Sequence, residues 1–174
     1  MTRRKINEIQ SLVPTCHYQV DVGLITTPRH LELYNVNLDP DYQRGNVWTP
    51  EQQSKFVGAL IEDNTQINPV ILNDVSGTDL SETEVVDGKQ RITAIMAWIE
   101  GKFNALCPCG DEVSCESLDE TEKRGLGMAT SMHWKFVALN RKEVMQYYLR
   151  LNCGGTIHTQ EELDRVRGML EVEK

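Results

Sequence analysis

The run Val85-Val86-Asp87-Gly88-Lys89-Gln90-Arg91-Ile92-Thr93-Ala94 constrains the fold of this chain more than any other segment. Two β-branched residues end a strand, Asp-Gly makes a tight turn, and an amphipathic helix follows at once. A carboxylate, a flexible backbone and two cations therefore gather around a helix N-terminus. Unsatisfied N–H groups and the positive end of the helix dipole make such a place an anion site. Gly88 lets a phosphate approach the backbone, while Lys89 and Arg91 supply charge that Asp87 can balance or use. A plainer reading is an Asp-Gly turn in which Asp87 simply caps the helix.

A chain of 174 residues suits one domain with a sizeable core, and 40% hydrophobic with 25% charged residues predicts a globular protein. No apolar run approaches the ~20 residues needed to cross a bilayer. The basic start Met1-Thr2-Arg3-Arg4-Lys5 is followed by no apolar stretch, so a secretory signal is not expected and a cytoplasmic location is the default. The net charge of −8 argues against a protein that coats nucleic acid nonspecifically, because that binding rests on Lys and Arg neutralising phosphates. A local basic cleft built from Arg44, Lys89, Arg91, Arg141 and Lys142 stays compatible with DNA.

Cys16, Cys107, Cys109, Cys115 and Cys153 form an odd set, which points to free thiols. Cys107-Pro108-Cys109-Gly110 with Cys115 invites a zinc reading, completed by Cys153 or His133. The spacing is one residue short of a zinc knuckle, so a hairpin with half-buried cysteines is the preferred expectation. The four histidines show no ligand spacing, and no Ser-His-Asp set, Walker A loop or Rossmann fingerprint is present.

Along the chain, a short helix is expected from Ile6 to Leu12, then strands at His17 to Val22 and Tyr34 to Leu38. A loop from Asp39 to Trp48 precedes a helix capped by Thr49, with Pro50 at N1 and Gln52 at N3. Strands at Pro69 to Leu72 and Glu84 to Val86 lead into the motif helix, which Gly101 ends. A hairpin from Phe103 to Val113, a helix from Leu118 to Met128 and a strand from Trp134 to Leu139 follow. Helices from Arg141 to Leu151 and from Thr159 to Leu170 complete the order. The fold class is α+β, a compact mixed sheet with surrounding helices in a single domain. Residues 1–33 are expected as an N-terminal extension packed on the core, with residues 34–174 forming the domain proper.

Three polar clusters stand at element boundaries: Tyr42-Gln43-Arg44 with Trp48, then Asp87 to Arg91, then Arg150-Leu151-Asn152-Cys153-Gly154-Gly155. In type, order and spacing they resemble the DUF262 family of the ParB/sulfiredoxin-like superfamily. There a Gln-Arg loop before Trp, a DGQQR segment and a late Asn-x-Gly-Gly segment recur. The resemblance runs from about Tyr34 to Leu170 and implies a nucleotide-binding α+β domain with phosphate chemistry at this motif. Its pattern carries over to Gln43, Arg44, Asp87, Gly88, Gln90 and Arg91. Lys89 departs from it, standing where the family usually has Gln, and adds a cation beside the expected phosphates. Restriction-type members continue into a nuclease domain, which this sequence does not show, so any chemistry is expected to be the chain's own.

The function this implies is nucleotide-dependent phosphoryl transfer, with water or a hydroxyl as acceptor, including a hydroxyl on a modified DNA base. Such chemistry asks mainly for positioning and for cations against the transferring group. Arg44, Lys89 and Arg91 are the expected clamps, Gly88 the phosphate cradle, and Asp87 the residue that binds Mg²⁺ or orients a nucleophile. Gln43, Gln90, Asn152 and Gly154 complete the expected nucleotide site, with ATP favoured over GTP or CTP. DNA is the expected substrate or effector, a homodimer is compatible, and no membrane contact is expected. The alternatives are a nucleotide-gated module that binds DNA or a partner without catalysis and, after it, a nuclease or nuclease regulator. More plainly still, Arg44 could form a structural salt bridge with Asp87 or Glu84, and Asn152 to Gly155 could be a helix C-cap.

Overall fold

The computed structural model describes residues 14–43, 45, 47–63, 67–74, 82–152 and 160–172. In chain order its elements are β1 (Tyr18–Gly23), a 3-10 turn (Leu24–Thr26), α1 (Thr27–Leu33), β2 (Val36–Asn37) and α2 (Pro50–Glu62). Then come β3 (Val70–Asn73), β4 (Thr83–Asp87), α3 (Lys89–Ile99), β5 (Ala105–Leu106) and β6 (Glu112–Val113). The last are α4 (Glu120–Ala129), β7 (Ser131–Val137), α5 (Arg141–Asn152) and α6 (Gln160–Val172).

Five strands form one mixed sheet in the order β1-β7-β3-β4-β2, and β5 and β6 form a separate antiparallel hairpin. The pairs β1–β7 and β3–β4 are antiparallel, whereas β7–β3 and β4–β2 are parallel. The α+β class therefore holds. Residues 18–33 of the expected extension supply an edge strand and a helix of this same unit, because β1 pairs with β7 from Tyr18 to Gly23.

Alternation along β4 explains the layering. Val85 joins a core with Leu72, Ile92, Ile95 and Trp98, whereas Val86 joins a second cluster with Tyr42, Val144, Met145, Tyr148 and Val166. Neighbouring strand residues face opposite sides of a sheet. The two β-branched residues before the turn thus fasten β4 between α2 and α3 on one face and α5 and α6 on the other. Beside the turn the β3–β4 ladder slips: Ile71 faces Asp87 but Leu72 faces Val85, leaving Val86 as an extra residue.

The start of α2 follows its sequence signal. Gln52 N–H donates to Thr49 Oγ1 (3.2 Å), and Gln52 Oε1 accepts from Thr49 N–H (2.9 Å), a closed capping box with Pro50 in the first turn. Asp119 and Glu122 form a second capping box at α4, which the apolar spacing alone did not reveal. Helix α1 was also unforeseen, being a short segment whose only buried residue is Thr27. The segment Ile6 to Leu12 and the cap at Thr159 lie outside the described residues. Among those described, no helix is long and apolar enough to cross a membrane.

The hairpin is held down at three points. Trp98 Nε1 donates to the Val113 carbonyl (2.8 Å), Ser54 Oγ donates to the Asn104 carbonyl (2.6 Å), and Ser54 Oγ accepts from Leu106 N–H (3.1 Å). Close approach is possible because α2 carries Gly58 there: a Cβ at that position would lie 1.9 Å from the Leu106 carbonyl oxygen. Gly58→Ala is expected to push hairpin and helix apart and to cost about 1–3 kcal/mol. A lower midpoint in urea unfolding, with the slope unchanged, checks this.

Candidate functional site at the strand–helix turn

Asp87 ends β4, and Gly88 turns the chain with φ 106°, in the left-handed region that glycine adopts freely. A Cβ on Gly88 would also lie 2.8 Å from Val70 Cγ2, so both conformation and space require glycine. The first bond of α3 runs from Ile92 N–H to the Gly88 carbonyl (3.0 Å). The N–H groups of Lys89, Gln90 and Arg91 precede it and have no carbonyl one turn back in the helix. Asp87 is not the helix cap that the plainer reading expected. The cap residue is Gly88, and Asp87 Oδ2 instead accepts from Arg91 Nη2 (2.8 Å).

Each long polar side chain of the motif reaches an element distant in sequence. The Arg91 guanidinium also donates to the carbonyls of Asn68 and Pro69, the latter at 3.2 Å. The Lys89 side chain is buried and its ammonium pairs with Asp39. Gln90 Oε1 accepts from the N–H groups of Val47 (3.1 Å) and Trp48 (3.2 Å), while Gln90 Nε2 donates to the Gly45 carbonyl (3.1 Å). Gln43 returns the arrangement, its Nε2 donating to the carbonyls of Val85 and Val86, the latter at 3.0 Å. Two glutamine amides thus bind the loop before α2 to the β4–α3 turn.

The same loop is held from behind by α6. Arg165 donates to the carbonyls of Asp41 (2.6 Å), Tyr42 (3.2 Å) and Gln43 (3.1 Å). Tyr42 is fully buried, and its hydroxyl donates to Glu84 Oε2 (3.3 Å). Burial first, and the Glu84 carboxylate second, push the Tyr42 phenol far above its ordinary range, so it stays protonated. Arg141 pairs with Asp41 and with Glu84 (3.8 Å), and its guanidinium lies 5.5 Å from the Tyr42 ring centre. Tyr42 is therefore a packing residue.

Gln43, Asp87, Gly88, Lys89, Gln90, Arg91 and Asn152 all line one cleft of about 720 Å³. Arg44 and Gly154, expected at the same site, lie outside the described residues. Asn152 enters from the end of α5, with its Nδ2 donating to the Tyr148 carbonyl (2.7 Å). The same cleft is also lined by the apolar residues Trp48, Phe56, Ile67, Ile71 and Leu151, with the Trp48 and Phe56 rings 5.2 Å apart. The lining thus combines charged and amide side chains with apolar and aromatic surface that can take a flat group.

Sequence reasoning missed Asp39, Arg165 and Tyr147. Asp39 sat visibly in the acidic loop before Gln43, but its pairing with Lys89 crosses 50 positions. Arg165 had no local signal at all. The Tyr147 phenol is pushed up by burial and, next, by the nearby Asp87 carboxylate. The hairpin preferred from the sequence forms as β5–β6, and the wider zinc set that the cysteine run invited does not assemble among the described residues: Cys115 is buried in the main core, and His133 pairs with Asp21 across β1 and β7. Cys153 lies outside the described residues.

Burial raises the Glu84 carboxyl above its ordinary range, outweighing the opposing pull of Arg141 and Tyr42. A carboxyl raised in the folded state favours folding while protonated, and that contribution is lost as pH rises through its folded pKa. Glu84→Gln is therefore expected to gain in melting temperature relative to the parent as pH rises above about 4. A difference that shrinks over that rise would show the Arg141 pair to dominate.

All three polar clusters fall within a match to the GmrSD restriction endonuclease N-terminal domain, which covers residues 30–165. Among solved structures, the chain is similar to the C-terminally truncated chromosome-partitioning protein ParB from Caulobacter crescentus complexed with CTP-gamma-S. That likeness has 14% sequence identity and a TM-score of 0.41, covering 90% of this chain and 66% of that one. No curated protein matches the sequence.

Proposed function

Because the chain belongs to the family of the GmrSD restriction endonuclease N-terminal domain, we propose that its cleft binds a nucleoside triphosphate and serves phosphoryl transfer on or with DNA. The observation that carries this reading is the gathering of Asp87, Lys89 and Arg91 at one helix N-terminus in the lining of a 720 Å³ cleft. The phosphates bind over Gly88, where backbone N–H groups and the helix dipole face them. Arg91 clamps a phosphate bidentately, exchanging part of its bonding to Asp87 and the Asn68 and Pro69 carbonyls for charge-assisted bonds. Lys89, held by Asp39, contributes field more than reach. Arg44, adjacent to Gln43 in sequence, adds a second clamp.

Asp87 has 45% of its side chain exposed, so a hard oxygen donor at the end of β4 can meet solvent or ligand. This suits Mg²⁺, which keeps most of its waters and binds through one or two carboxylates plus phosphates. When bound, Mg²⁺ supplies charge neutralisation of the triphosphate. Asp87 orients the nucleophile and accepts its hydrogen bond, while the aromatic wall of Trp48 and Phe56 takes the base. Gln43, Gln90 and Asn152 fix the loop and helix ends that frame the ligand. ATP is the favoured nucleotide, with GTP and CTP as alternatives.

A second reading, a nucleotide-gated module without turnover, is favoured by one observation. Both described motif cations are already paired with carboxylates, Lys89 with Asp39 and Arg91 with Asp87. A bound phosphate would exchange those partners and shift the loop that Arg165 supports, which is how a switch operates.

Labelled γ-phosphate separates the readings. With ATP, GTP or CTP, Mg²⁺ and DNA, label is expected as free phosphate or on the DNA, and Asp87→Asn is expected to abolish that transfer. Binding without label movement would favour the switch. Arg91→Ala is expected to weaken nucleotide affinity about 10–100-fold by calorimetry, and unchanged affinity would remove Arg91 from the site.

A further inference from the structure

We propose that Glu62, Cys107 and Cys109 form a binding site for a thiophilic divalent cation, with Zn²⁺ the expected occupant. One carboxylate oxygen and two sulfurs lie within 4.8 Å of one another at the junction of α2 and the β5–β6 hairpin. Tetrahedral zinc with its usual bond lengths holds thiolate sulfurs about 3.8 Å apart and a sulfur and an oxygen about 3.6 Å apart. The donors therefore need to close by at most about 1 Å, within the reach of side-chain rotation.

The backbone around them is already ordered for the task. Glu62 is the last residue of α2, and its Oε2 accepts from Cys109 N–H (3.0 Å), which brings the carboxylate to the turn. The turn closes through Gly110 N–H to the Cys107 carbonyl (2.9 Å) and Cys107 N–H to the Asp111 carbonyl (2.8 Å), with Gly110 at φ 97°. Ser54 and Gly58 seat the hairpin on α2, so the three donors sit on a fixed platform and not on a free loop. Cys107 is buried while Cys109 and Glu62 are exposed, which leaves a solvent side for a fourth ligand. Asp111 Oδ2, 3.6 Å from Cys109 Sγ, adds negative charge there.

The donor set selects the ion. Two thiolates and a carboxylate suit Zn²⁺ and exclude Mg²⁺ and Ca²⁺, which take oxygen ligands. A bound ion would tie the hairpin turn to the C-terminal end of the helix whose Phe56 lines the cleft. The site is separate from the triphosphate site and stands or falls without it.

The test uses the whole chain, reduced and freed of metal, titrated with Co²⁺ and then Zn²⁺. One equivalent of Co²⁺ is expected to give thiolate-to-metal charge-transfer absorption, displaced by one equivalent of Zn²⁺. Cys109→Ser, at an exposed position the fold does not need, should abolish that absorption. Glu62→Gln should weaken Zn²⁺ at least about tenfold, while Cys16→Ser should leave binding unchanged. Zinc should raise the melting temperature of the parent and not of Cys109→Ser. Absence of the charge-transfer band, its persistence in Cys109→Ser, or parent affinity in Glu62→Gln would each overturn the proposal.

Discussion

The reciprocal hydrogen bonds of the Gln43 and Gln90 side-chain amides, each to the backbone of the other's segment, govern the geometry of the cleft. Gln43 donates to the carbonyls at the end of β4, and Gln90 receives and returns bonds from the backbone before α2. Gln43 satisfies strand carbonyls by donation, and Gln90, whose amide donates and accepts at once, satisfies loop groups that would otherwise need water. Both chain segments are thereby held face to face across the turn at Gly88. With Arg165 gripping three consecutive carbonyls from the opposite side, the loop is fixed from front and back.

This arrangement reconciles an acidic protein with the phosphate site proposed at the α3 N-terminus. The net charge of −8 is a property of the whole surface, whereas Lys89 and Arg91 sit where the α3 N-terminus adds its own positive field. Their carboxylate partners, Asp39 and Asp87, keep the buried charge compensated. An arriving anion must compete with those partners. The proposed site would work by an exchange of ionic contacts, which suits both a turnover cycle and a switch.

Local signals were readable wherever the chemistry was local. The capping box at Thr49, the strand–turn–helix at Asp87-Gly88 and the hairpin around Gly110 depend on residues within a few positions of each other. The gathering of Gln43, the Asp87 to Arg91 run and Asn152 on one cleft was foreshadowed by motif order, not by periodicity. Contacts across long separations left no trace in any window. The β1–β7 pairing, the Lys89–Asp39 ion pair and the grip of Arg165 are of this kind. The cysteines teach the same point. The cysteine run invited Cys115 with Cys153 or His133 as further ligands, while folding brought Glu62 to Cys107 and Cys109 from the end of another helix.

The chemistry proposed for the cleft depends on a triphosphate binding over the Gly88 turn, and amide hydrogen exchange with and without nucleotide tests that directly. Saturating nucleotide should slow exchange at the N–H groups of Lys89, Gln90 and Arg91 and leave the β5–β6 hairpin unchanged. Unchanged rates at those three amides, with protection arising elsewhere, would contradict it.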